Sequence, residues 1–255
     1  MIQNLLLPMV CERFKRDVRY RDGHLRVINA LPSRKVLGLH IPEMKKAAIE
    51  LWRKDADGYI KAFENSEHEK LTYEETVIWG LLINKVKCPV DERLAMLDRY
   101  VPVLDNWAVC DSYCANAKWM AKVNKEILWA FIGKWFLSDR EFEVRFAVVV
   151  AMCYFLSEEW IDKVFCAIDN IEFDKITSLY ISEKGKPSVA QSGTVQGDAP
   201  YYVRMAVAWL LATALSKFPD ATREYVNVSQ LPADVIKMYI RKARESFRTR
   251  NISAL

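Results

Sequence analysis

From Glu43 onward apolar residues recur every three or four positions, and the chain reads as a train of short amphipathic helices. The first follows Pro42 and runs to Lys54, with Met44, Ala47, Ala48 and Leu51 on one face. Proline suits a first helical turn because an N–H there has no intrahelical partner. Thr72, with Glu75 three residues on, forms a capping-box pattern ahead of Val77, Ile78, Leu81 and Leu82. Asp91 is a candidate cap for a helix through Leu94 and Leu97 to Tyr100, and Asn106 or Asp105 for one reaching about Lys118. Further helices are expected at roughly 120–137, 140–155, 158–168, 172–182, 200–217, 220–227 and 232–249. No strongly alternating stretch competes with them. Short helices in antiparallel pairs, spaced by about 40 residues, predict an all-α chain. The expected architecture is a HEAT-like helical-repeat superhelix, an α-solenoid forming a single domain over residues 1–255. A compact non-repeat bundle is the alternative.

One segment breaks the pattern. Residues 184–200, KGKPSVAQSGTVQGDAP, contain three of the eight glycines, two of the nine prolines and no aromatic residue. A flexible inter-helix loop is expected there, either a variable insertion or a functional segment, a lid or a ligand-contacting loop. Elsewhere glycine and proline are too sparse for the many turns of a sandwich or barrel. No GxGxxG or GxxxxGK[ST] occurs, which argues against a nucleotide-binding α/β fold. The longest uncharged apolar run, Phe146 to Leu156, has eleven residues. A membrane span needs about 20, so this run is expected to be a buried helix face and no membrane association is expected. The start, MIQNLLLPMVCERF, lacks the basic stretch and small-residue cleavage site of a signal peptide. A cytoplasmic location is therefore expected.

The net charge of +4 becomes informative through its distribution. Residues 231–250 hold Lys237, Arg241, Lys242, Arg244, Arg248 and Arg250 against Asp234 and Glu245. Residues 12–26 hold Arg13, Lys15, Arg16, Arg19, Arg21 and Arg26 against Glu12, Asp17 and Asp22. Basic ends on an otherwise balanced chain fit a polyanionic partner, or simply solvated helix faces. The six cysteines are scattered among apolar residues, as reduced thiols would be. Cys110 and Cys114 form a CxxxC with no second pair at metal spacing, so no metal is expected.

Three segments carry candidate chemistry. In VLDNWAVCDSYC, Trp107 and Asp111 lie four residues apart and share a helix face. They are a π-face beside a carboxylate, or else a core indole and a solvated acid. In EVRFAVVV, Arg145 heads a deeply apolar helix and needs an acid or a phosphate as partner. In YYVRMAVAWL, Tyr202, Met205 or Ala206, and Trp209 line one face, an exposed aromatic column for a nucleic acid or else a core stripe.

Taken in order, VLGLHIPEMKKAA at 36–48, YEETVIWGLLI at 73–83, NWAVCDSYC at 106–114, EVRFAVV at 143–149, YYVRMAVAW at 201–209 and KARESFR at 242–248 resemble the DNA alkylation repair family. These are the AlkD-like DNA glycosylases built from HEAT-like repeats. The family's Trp-x-x-x-Asp pair, helix-heading Arg and late Trp fall on Trp107, Asp111, Arg145 and Trp209. The resemblance implies duplex DNA containing alkylated bases as the partner, cradled on a concave basic surface by a monomer. It implies hydrolysis of the N-glycosidic bond of cationic N3- or N7-alkylated purines without extruding the base into a pocket, unlike the usual glycosylase strategy. No cofactor is implied. Asp111, Trp107 and Trp209 would be catalytic, and Arg145, Tyr202, Lys118, Lys122, Lys242, Arg244 and Arg248 would contact DNA. Lys125 extends the spacing of Lys118 and Lys122. Ala108-Val109-Cys110 departs from the acid and β-branched residue common between the Trp and Asp. A DNA-structure-binding protein without glycosylase activity, or a protein-interaction scaffold of the same fold, thus stays open.

Overall fold

A helix that is apolar on every side must be enclosed by others, and three such helices organise the chain. The structure, a computed structural model, describes residues 2–183, 186–190, 193, 195–196 and 200–255. Two compact units divide it, Met1–Val123 and Asn124–Leu255. Thirteen α-helices occur among the described residues, as an all-α chain requires.

The first unit is built around α5. Three short helices, α1 (Gln3–Leu6), α2 (Glu12–Arg16) and α3 (Val18–Ile28), precede α4 (Ile41–Glu64), α5 (Tyr73–Lys85), α6 (Val90–Tyr100) and α7 (Trp107–Asn116). In α4, Pro42 lies in the first turn and Met44, Ala47, Ala48 and Leu51 are buried, as expected. The helix runs beyond Lys54 to Glu64 across a kink at Asp55. The Thr72–Glu75 capping box forms, and every residue from Tyr73 to Ile83 is buried, because α5 packs against both α4 and α7. Asp91 does not cap α6. Pro89 occupies that position and Asp91 sits in the first turn, where its charge favours the helix dipole. Buried Glu74 accepts from the backbone N–H groups of Leu37, Gly38 and Leu39, at 2.9, 2.8 and 3.3 Å. Burial still raises its pKa against those bonds. Gly38 has φ +100°, and a Cβ there would strike the Phe14 ring, so only glycine fits.

The second unit stacks α8 (Lys125–Phe136) on α9 (Glu141–Tyr154), α9 on α11 (Tyr201–Leu215), and α11 on α13 (Ala233–Glu245). Helices α10 (Ile161–Asp169) and α12 (Pro219–Val228) complete it. All residues from Glu141 to Met152 are buried, so the Phe146–Leu156 run is mostly core.

Residues 172–182 are not the helix expected of them. After a 3-10 turn at Phe173–Lys175, Thr177–Ser178 (β1) and Tyr180–Glu183 (β2) are strands. β1 pairs antiparallel with Val195–Gln196 (β4), and β2 with Lys186–Val189 (β3), placing Tyr180 opposite Val189. Ile176, Ser178 and Tyr180 are buried while Thr177 and Leu179 are less so, the period of two that marks a strand. The expected loop at 184–200 therefore contains strand pairing. Its residues 184–185, 191–192, 194 and 197–199 lie outside the described residues.

Candidate functional site

The start of α7 is tied down on two sides. Asn106 Oδ1 accepts from the Ala108 N–H at 2.8 Å, so Asn106, not Asp105, is the cap. Its Nδ2 donates to the Ile28 carbonyl at 2.8 Å. Asp105 instead pairs with Arg34 at 2.6 Å, both side chains nearly buried. Arg34 also donates to the carbonyls of His68 and Leu71, at 2.7 and 2.8 Å. Burial pushes the Asp105 carboxyl up, and the Arg34 guanidinium only partly offsets it.

From this anchored start the helical period sorts the residues. Ala108, Val109, Cys110, Tyr113 and Cys114 are buried. Trp107 and Asp111 take another side of the helix, half-exposed, one turn apart. Both cysteines of the CxxxC thus face the interior, and all six cysteines are free thiols. No group of His, Cys, Asp and Glu able to hold a metal occurs among the described residues. Nor is any described helix long and apolar enough to cross a membrane. Lys118 and Lys122 are exposed on the 3-10 turn that follows α7. Lys125 turns inward instead, donating to the Tyr154 carbonyl at 2.7 Å beside the Phe155 ring, and burial lowers its pKa.

In the second unit Arg145 is 3% exposed and donates to the Tyr202 carbonyl at 2.6 Å. Glu141, one turn earlier on α9, accepts from the Tyr202 N–H at 2.7 Å and from the Ser178 hydroxyl. Burial pushes the Glu141 carboxyl up to about 7, although Ser178, Tyr202 and Arg145 all pull it down. The pair therefore holds the first turn of α11 from both polar ends of one peptide unit's residue. Arg145 has an internal partner where the sequence suggested an acid or a phosphate.

Tyr202 faces inward too, contrary to the expected exposed column. Its ring meets Tyr180 edge-on at 4.9 Å and Phe142 at 5.4 Å. Strand β2, expected to be helix, is what covers it. The column that does reach solvent is Tyr201, Met205 and Trp209, spaced by four, with Trp209 39% exposed.

Tyr201 and Met205 border a groove of about 300 Å³ whose other wall is α13, through Asp234, Lys237, Met238, Arg241, Lys242 and Glu245. Lys242 is half-exposed and Arg244 exposed. Arg248 lies beyond the helix, which ends at Glu245 with Ser246 as its C-cap. Thus Trp107 and Asp111 share a helix flank in the first unit, and Arg145 meets Tyr202 in the second. Tyr201 and Met205 share their groove with Lys242. Tyr201, Lys237 and Arg241 were not singled out as site residues from the sequence. Their signal was the four-residue spacing of 201, 205 and 209 beside that of 237 and 241.

The chain is thus all-α, with an indole and a carboxylate on one helix flank of the first unit and an aromatic column beside a basic helix in the second. The DNA alkylation repair enzyme family matches the chain over residues 21–178, more than half its length, and the chain belongs to that family. It is accordingly a DNA repair protein of an enzyme family, with DNA as its substrate. No curated protein and no solved structure matches the chain. The matched stretch contains Trp107, Asp111 and Arg145, whereas α11 and α13 lie beyond it.

Proposed function

We propose that the protein is a DNA glycosylase that hydrolyses the N-glycosidic bond of cationic N3- or N7-alkylated purines in duplex DNA, on a scaffold of HEAT-like helical repeats. The observation that carries this reading is the half-exposed Trp107–Asp111 flank of α7, anchored at its start by Asn106 and the Arg34–Asp105 pair.

An alkylated purine already carries positive charge, so it leaves with the C1′–N electron pair without needing a strong acid. Positive charge then moves onto the deoxyribose as an oxocarbenium ion. A carboxylate at Asp111 lowers that barrier electrostatically, orients the attacking water and accepts its proton as oxygen bonds to C1′. The π-face of Trp107 attracts the cationic nucleotide, an interaction worth about 0.5–2 kcal/mol. Trp209 offers a second exposed π-face. Lys118, Lys122, Lys242, Arg244 and Arg248 supply backbone contacts, while Arg145 and Tyr202 support the aromatic column from inside.

Release of free 7-methylguanine from a methylated duplex, followed by chromatography, tests the proposal. Duplex binding without base release would instead favour a DNA-structure-binding protein. No salt-dependent DNA binding at all would favour a protein-interaction scaffold.

A further inference from the structure

The groove between α11 and α13 has a composition that Trp209 alone does not explain. Among its lining residues are the aromatic Tyr201 and the apolar Met205 and Met238. Lys237, Arg241 and Lys242 line it as well. The acids beside them are engaged: Asp234 by Arg204 at 2.5 Å, and Glu245 by Arg241 at 2.8 Å and Lys242 at 3.9 Å. Lys237 has no acidic partner among the described residues and is exposed. With three cations against two acids, the lining is net positive and also holds an aromatic ring and two thioethers. A volume of about 300 Å³ is at the lower end for small-ligand sites. It suits one nucleoside, not the width of a duplex.

We infer that this groove is a subsite for an unpaired nucleotide of a DNA strand. The base stacks on Tyr201 against the two methionines, and the flanking phosphates lie on Lys237, Arg241 and Lys242. Stacking on an aromatic ring beside a cationic track is how single strands are held without sequence preference. Tyr201 and Trp209 share one helix flank eight residues apart, about 12 Å at 1.5 Å per residue. A strand touching Trp209 therefore reaches Tyr201 within a few nucleotides. This last step rests on the proposed role of Trp209; the groove's own chemistry does not.

The test uses the full chain and an undamaged, fluorescently labelled single-stranded oligonucleotide carrying 2-aminopurine, so it reads binding and stacking independently of base release. The wild-type protein is expected to bind it with salt-dependent affinity and to quench the 2-aminopurine. Tyr201→Ala should weaken binding about tenfold or more and abolish the quenching. Tyr201→Phe should restore both. Lys237→Glu, at an exposed position where folding is not at stake, should weaken binding and lower the salt slope by about 0.9. Unchanged affinity and quenching in Tyr201→Ala would overturn the inference. So would equally tight binding of an oligoglutamate of the same charge, which would make the groove a general anion surface. Loss of base release with this binding intact would sink the glycosylase proposal and leave the subsite standing.

Discussion

Replacing Glu141 by glutamine should stabilise the protein above neutral pH. The carboxyl is buried in the second unit between the Tyr202 N–H, the Ser178 hydroxyl and Arg145, and its pKa is raised from 4.5 to about 7. A raised carboxyl pKa means that the folded state binds the proton more tightly than the unfolded chain. The resulting stability is full below the ordinary value and is lost as pH rises through 4.5 to 7. The shift of about 2.5 units, at 1.36 kcal/mol per unit, sets a ceiling of roughly 3 kcal/mol on that loss. Glutamine keeps the oxygen that accepts from Tyr202 and can donate to Ser178 Oγ, yet it carries no charge to desolvate. Urea unfolding of both proteins from pH 5 to 8 isolates the group, because other titrations cancel in the difference. Relative to wild type, the variant should gain about 2–3 kcal/mol across that range. A flat difference, or a variant that weakens further as pH rises, would refute the reasoning and show that Arg145 keeps the carboxylate ionised.

Further outcomes follow from the ties that hold α7 and from the exposed cations. Arg34→Met strands a nearly buried Asp105 and two carbonyls, and should cost about 3–5 kcal/mol in urea unfolding. Adding Asp105→Asn should recover part of that loss, and strict additivity of the two changes would contradict the pairing. Asn106→Ala removes the α7 cap and should cost about 0.5–2 kcal/mol. Charge reversal at Lys118 and Lys122, or at Lys242, Arg244 and Arg248, should weaken duplex binding, with a log–log salt slope smaller by about 0.9 per lost contact. Unchanged affinity and slope after reversal of both clusters would place the DNA elsewhere.

The parts of this chain that were legible in its sequence are those where one local rule acts alone. The Thr72–Glu75 capping box, Pro42 in the first turn of α4 and the buried run of α9 each follow from a few adjacent residues. The flank shared by Trp107 and Asp111 follows from helical period. Strand β1 was hidden because its inward position is Ser178, a polar residue that breaks the apparent apolar alternation. Ser178 is buried because it bonds Glu141, a partner 37 residues away that no local pattern reveals. The same blind spot displaced Tyr202. By helical period alone it shares a face with Trp209, but β2 covers it and leaves Tyr201 outside. Likewise, either Asp105 or Asn106 could cap α7 by composition, and only the position of Arg34 decides between them.

The central claim is that an Asp111 carboxylate stabilises the developing oxocarbenium ion, and Asp111→Asn tests it most directly. The substitution keeps the shape and removes the charge at a half-exposed position. Single-turnover release of 7-methylguanine from a methylated duplex should slow by about 10²–10³, the usual loss for one electrostatic stabiliser. Affinity for the same duplex should be unchanged or slightly higher, since one anion facing phosphates is gone. Wild-type rates of release from a folded Asp111→Asn protein would contradict the account.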